Sequence, residues 1–173
     1  MTKQPDEHEY VVLLRGINVG GRNKVPMAGL REHLGREFAD VRTYIQSGNV
    51  VLRSAASAAE VADRIERTLP TAFALDSDLI RVLALEETAY RSVRTDGPEG
   101  FGSEPDTYRY DVGFYVGVEA DDVVPHLRAN PDVDQVTCGP LAFYHRRVTA
   151  LATRSWLSRV VGTPVYPQLT IRN

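Results

Sequence analysis

The apolar positions of this chain fall into short β-type runs separated by stripes at helical spacing. Residues 10–15 (YVVLLR) are an almost unbroken run of β-formers, the pattern of a strand covered on both faces and therefore central in its sheet. After a glycine-rich loop, Pro26 suits a first helical turn, and Met27, Leu30, Leu34 and Phe38 follow on one helical face. Residues 43–46 and 50–53 read as two strands joined by Ser47-Gly48-Asn49, whose glycine and asparagine tolerate the positive φ of a tight turn. Ser57 and Glu60 form a capping-box pattern ahead of Ala58, Val61, Ala62, Ile65 and Leu69 on one face, which predicts a second helix. A strand over 78–85 (DLIRVLAL) and a short helix over 86–93 complete the first series.

The second series has the same order. Residues 109–116 read as a strand, a helix is predicted around 121–129, and 133–138 with 141–146 form a hairpin across Gly139-Pro140. Trp156, Leu157, Val160 and Val161 mark a helix stopped at Gly162, and 165–171 give the last strand. Between the series, TDGPEGFGSEPD concentrates glycine, proline and acids, the composition of an extended linker. The expected organisation is a flexible tail over 1–9, a first half over 10–94, a linker over 95–107 and a second half over 108–173. Each half reads β-α-β-β-α-β, an α+β class. Glycines correspond as well: Gly16 and Gly117 end the first strands, and Gly48 and Gly139 turn the hairpins.

Composition adds location and charge. The longest apolar runs are far shorter than the roughly 20 residues of a membrane span, and the polar, acidic N-terminus lacks the features of a secretory signal. Cys138 is the single cysteine, so no internal disulfide is expected, and a cytoplasmic protein follows from these features together. The net charge of −3 hides a segregation. Residues 10–53 carry seven basic and three acidic side chains, 54–140 seven against seventeen, and 141–173 five basic and none acidic. If the basic ends meet in space they form an anion-attracting surface; otherwise the acidic middle is a set of solvated helix faces.

Two stretches, LLRGINVGGRNKVPM from Leu13 and YIQSGNVVL from Tyr44, resemble the signature of the bacterial domain-of-unknown-function 1697 family, and GTPVY from Gly162 and TIRN from Thr170 are similar to its C-terminal pattern. The resemblance implies a pair of ferredoxin-like subdomains in tandem and no activity, because none is assigned to the family. The resemblance implies a further helix after the Arg-Asn pair, as relatives usually have, whereas this sequence ends at Asn173.

The candidate chemistry lies first in 15–24 (RGINVGGRNK), which leaves a strand and enters a helix. Its backbone N–H groups can line an anion-binding concavity at a helix N-terminus, with Arg15, Asn18, Gly20, Gly21, Arg22 and Lys24 as ligand-binding candidates. The bland alternative is a strained turn whose asparagines satisfy backbone groups. Gly16-x4-Gly21 matches the glycines of a P-loop, but Arg22 and Asn23 replace its Lys and Ser/Thr, which excludes that motif. Gln46, Ser47 and Asn49 are a second polar cluster, and Arg172 and Asn173 a third, with Arg146 and Arg147 upstream. The loop after the first strand and the hairpin turn are expected at opposite ends of the sheet, so that one half alone does not join them.

Catalytic sets are scarce. His8 falls in the tail, and His33, His126 and His145 show no zinc spacing, so no metal is expected. Cys138 next to His145 across a hairpin offers a nucleophile pair, but a buried small-hydrophobe role is favoured. An RNA-recognition module has the same element order, yet neither half carries its glycine-aromatic pattern, and much of Tyr110, Phe114, Tyr115, Phe143 and Tyr144 is needed for a core. Three readings stay open: a protein holding a phosphate-bearing ligand, a nucleotide or a nucleic acid; an enzyme with a pocket between the halves; and a protein-interaction module. Sequence names no cofactor and no oligomeric state.

Overall fold

The computed structural model describes residues 7–75 and 80–173. Residues divide into two compact units, one ending at Arg91 and one beginning at Ser92. Both are mixed α+β, each with a four-stranded antiparallel sheet.

In the first unit β1 (His8–Arg15) lies between β3 (Asn49–Ser54) and β4 (Arg81–Glu86), with β2 (Ala39–Tyr44) outside β3, giving the order β2-β3-β1-β4. The unbroken apolar run thus makes a central strand. Tyr10, Val12 and Leu14 stand opposite Leu52, Val50 and Val82 or Ala84 on one face. The buried Leu30 and Leu34 of α1 (Met27–Leu34) and Val61, Ile65 and Leu69 of α2 (Ala58–Ala72) join that face in one core. β1 includes His8 and Glu9, which the polar N-terminus assigns to a tail; Glu9 is held there by Arg42 at 2.8 Å. The expected start of the strand over 78–85 lies partly outside the described residues.

Two boundaries move for local reasons. α1 stops at Leu34, and Phe38 reaches the core from the turn beyond it. The strand predicted over 43–46 ends at Tyr44, because Ile45 adopts φ 50° and the turn is the four residues 45–48. α2 begins as predicted, with Ser57 and Glu60 exchanging both capping-box bonds.

A helix, α3 (Glu87–Thr95), carries the chain across the unit boundary. Residues 96–107 then run in turns, with Phe101 edge-on to Tyr110 at 4.9 Å and to Tyr144 at 5.5 Å. In the second unit β5 (Tyr108–Tyr115) lies between β7 (Ala142–Val148) and β8 (Leu169–Arg172), and β6 (Asp134–Cys138) is outside β7. Gly113 faces Phe143 so closely that a Cβ there would lie 2.1 Å from the ring. The predicted helix over 121–129 shrinks to α4 (Ala120–Val123) and a 3₁₀ turn over Val124–His126, and that over 156–161 is a 3₁₀ turn, Leu157–Val160. Among the described residues no helix is long and apolar enough to cross a membrane.

Candidate functional site

β1 and β3 are antiparallel, so the start of β3 lies beside the end of β1: Leu13 pairs with Asn49. The glycine-rich loop and the hairpin turn therefore sit at the same end of the first sheet, not at opposite ends. The bonds between them are direct. The Leu14 N–H donates to the Gly48 carbonyl at 2.8 Å, and the Asn18 side-chain amide donates to the Gln46 carbonyl at 2.9 Å. Gly48 has φ 75°, and a Cβ there would meet Ile17 Cδ1 at 2.7 Å and Leu14 Cβ at 2.9 Å, so only glycine allows this approach.

The loop is a small closed structure. Val19 and Arg22 form a bridge around Gly20 (φ 58°) and Gly21 (φ 79°), a turn with two positive φ values. Asn18, itself at φ 55°, accepts from the Val25 N–H at 2.8 Å and donates to the Val25 carbonyl at 2.9 Å. The buried Asn23 donates to the Gly16 carbonyl at 2.7 Å. Backbone N–H groups of Asn18, Arg22 and Val25 are all engaged inside the loop. Outward the loop presents the exposed side chains of Arg22, Lys24 and Val19.

The other predicted residues take distinct places. Arg15 closes β1 opposite Arg81. Asn49 donates to Ser47 Oγ at 2.9 Å and to the Tyr44 carbonyl at 3.3 Å, so these two polar groups hold the turn. Gln46 is exposed. Arg172 ends β8 in the second unit, with Asn173 just beyond it, and donates to Thr170 Oγ1 at 2.8 Å. Arg31 of α1 donates to Thr43 Oγ1 at 2.7 Å and stands beside the tip of the first unit.

The two loops of the tip, residues 16–26 and 45–48, carry Arg22 and Lys24 and contain no aspartate or glutamate. Among the described residues neither Arg22 nor Lys24 has an ion-pair partner, whereas Arg36, Arg42, Arg53, Arg64 and Arg67 do.

The second unit holds a buried charged network that sequence reasoning missed. His145, fully buried, places Nδ1 3.1 Å from Asp111 and Nε2 3.1 Å from Asp134. Arg147 donates to Asp111 at 2.5 Å. Asp134 also accepts from the backbone of Asn130 at 2.9 Å and Trp156 at 2.8 Å. Burial works to raise this carboxyl, but the Trp156 and Asn130 N–H groups, with Ser155 and His145, outweigh it and hold it below the ordinary carboxylate range. Both ring nitrogens are engaged, so His145 has none for proton transfer to a substrate; the network pins three strands. Cys138 stands opposite Phe143, not His145, and is exposed, which corrects its expected burial. Partial desolvation by its neighbours still outweighs the hydrogen bond with Tyr115 and pushes the thiol pKa up, away from nucleophilic reactivity.

A small open pocket of about 100 Å³ lies within the second unit beside Phe101, Tyr144 and Arg146. Its cation is committed, since Arg146 donates to Gln135 at 2.6 Å and stacks 4.7 Å over Tyr108. No group of three or more metal-ligating side chains occurs among the described residues.

The family model described as Protein of unknown function (DUF1697) matches residues 8–144. The chain belongs to this family. Among solved structures it is similar to a conserved bacterial protein from Streptococcus pneumoniae, at 27% identity and a TM-score of 0.80, with 97% of this chain and 93% of that one covered. No curated protein matches it. The matched region of this DUF1697 chain contains the glycine-rich loop and the hairpin turn, the two parts of the tip.

Proposed function

We propose that this protein binds a phosphate-bearing anion, a nucleotide or nucleic acid, at the tip of its first unit. One observation carries the reading: two loops clasped through Asn18 present Arg22 and Lys24 without a carboxylate in either segment. Exposed cations are usually paired or dispersed among acids, and two cations on loops without acids concentrate positive potential where a polyanion can reach it. Recognition rests on side chains in this reading, because the N–H groups of Asn18, Arg22 and Val25 are spent inside the loop while Arg22 and Lys24 face outward.

The fold reading that accompanies it is a tandem of two ferredoxin-like βαββαβ subdomains. The orders β2-β3-β1-β4 and β6-β7-β5-β8, with sequence-first strands central in both sheets, support it. The absence of any second cysteine fits a cytoplasmic setting for such a ligand.

Equilibrium binding of nucleotides and short oligonucleotides at low salt tests the proposal. Arg22→Ala with Lys24→Ala is expected to weaken binding by at least about tenfold, since each hydrogen bond to a charged group is worth about 1.5–3 kcal/mol. Undiminished binding in that double variant would overturn the site.

A further inference from the structure

The tip carries apolar surface as well as charge. Six large apolar side chains are exposed among the described residues, and three of them, Val19, Tyr44 and Ile45, belong to these two loops. Tyr44 is 73% exposed. Val19 and Ile45 are each one residue from an end of the Asn18–Gln46 hydrogen bond, so they flank the same junction. Thr43 turns towards α1, where it meets Arg31, and alternation along the strand therefore puts Tyr44 on the sheet face away from the helices.

Ile45 is the decisive residue. It is β-branched, 57% exposed and at φ 50°. The other non-glycine residues with positive φ are Asn18, Asn23 and Asp40, types that tolerate the left-handed region. An isoleucine there gains little from burial and is strained by its Cβ, and it is absent from the core cluster of this unit. Strain kept at an exposed position is accounted for by what the side chain presents outward.

We propose that the tip is a binding platform for single-stranded nucleic acid, in which an unpaired base stacks on Tyr44 beside Ile45 and Val19 while Arg22 and Lys24 take the neighbouring phosphates. The inference rests on the anion-binding reading above and adds the ligand class. Charge complementarity selects the occupant: an apolar partner alone would not call for two exposed cations in loops without acids, and a bare phosphate would not call for an exposed aromatic next to a strained isoleucine. Single strands offer both a polyanionic backbone and free π-faces, and proteins that bind them combine cationic grooves with stacking side chains. The exposed Gln46 amide sits between Ile45 and Ser47, within the same turn, and offers donors and an acceptor to a base edge.

The test titrates the full chain with a labelled oligothymidylate, the same sequence as a duplex, and inorganic polyphosphate of matched charge. The oligothymidylate is expected to bind more tightly than the duplex or polyphosphate. Tyr44→Ala should weaken it by about five- to 140-fold, the range of one base-stacking interaction, and Tyr44→Phe should retain it. Polyphosphate binding should be the same in the Tyr44 variants and fall in Arg22→Ala with Lys24→Ala. If the oligothymidylate binds but Tyr44→Ala does not weaken it, or the duplex binds as tightly, the stacking inference is overturned while the anion reading stands. If neither polymer binds, both are overturned.

Discussion

At Gly48 the backbone needs φ 75°, the carbonyl must reach the Leu14 N–H, and the space for a Cβ is filled by Ile17 and Leu14. Gly48→Ala is therefore expected to cost about 2–4 kcal/mol, combining a left-handed alanine with overpacking; urea unfolding with an unchanged m-value would show it as a lower midpoint. Three residues earlier the argument reverses. Ile45→Asn relieves a β-branched side chain from the left-handed region and should raise stability by about 1 kcal/mol, read as a higher thermal midpoint, while weakening oligonucleotide binding. Gly48 was legible in the sequence as a turn glycine. Its second duty, the contact with Ile17, was not, because it depends on the register of β1 against β3. The same register explains why the polar excess at Gln46, Ser47 and Asn49 could be noticed but not divided. Asn49 and Ser47 bond to each other inside the turn, and only Gln46 is left facing out.

Elements differ in how well local pattern specifies them. The capping box and apolar face of α2 are both local, and the helix forms where they predict it. In the second unit apolar residues three apart, such as Leu157 and Val160, fit a 3₁₀ turn as well as an α-helix, since a 3₁₀ turn has a period of about three residues. Pro125 sits early in the turn after α4, where it has no N–H to extend an α-helix, and Pro131 ends the segment. The network joining β5, β7 and β6 was invisible for a different reason: Asp111, Asp134 and His145 meet only through strand pairing. Its consequence is a pH dependence. The folded Asp134 pKa is depressed, so its contribution is present above the unfolded pKa of about 4 and is lost as pH falls through the lower folded value. Asp134→Asn should cost about 3 kcal/mol or more at neutral pH, because it breaks a buried ionic set. Denaturant unfolding across the acid range should show a shallower fall in stability for the variant; an unchanged acid limb would mean that other carboxylates carry it.

For the whole chain the repeated order of strands was legible, because each half signals it with its own central apolar strand and glycine-turned hairpin. Charge was legible as a sum over segments but not as a surface. The net charge is −3 and residues 54–140 hold seventeen acids, so the molecule as a whole repels a polyanion, while the proposed tip attracts one. Salt separates these two effects by sign. Long-range repulsion is screened beyond the Debye length of about 8 Å at physiological ionic strength, so if it governed the encounter, added salt would strengthen binding. Direct phosphate contacts release counterions, and added salt then weakens binding with a log–log slope of about −0.7 per neutralised phosphate on a single strand. Contacts from Arg22 and Lys24 give a slope near −1.4, and each alanine substitution should reduce its magnitude by about 0.7. Removing a cation of the second unit such as Arg128 leaves both tip loops unchanged and should not change the slope. A slope that rises with salt, or that falls equally for Arg22→Ala and Arg128→Ala, would mean that the attraction is a property of the overall charge and not of the tip.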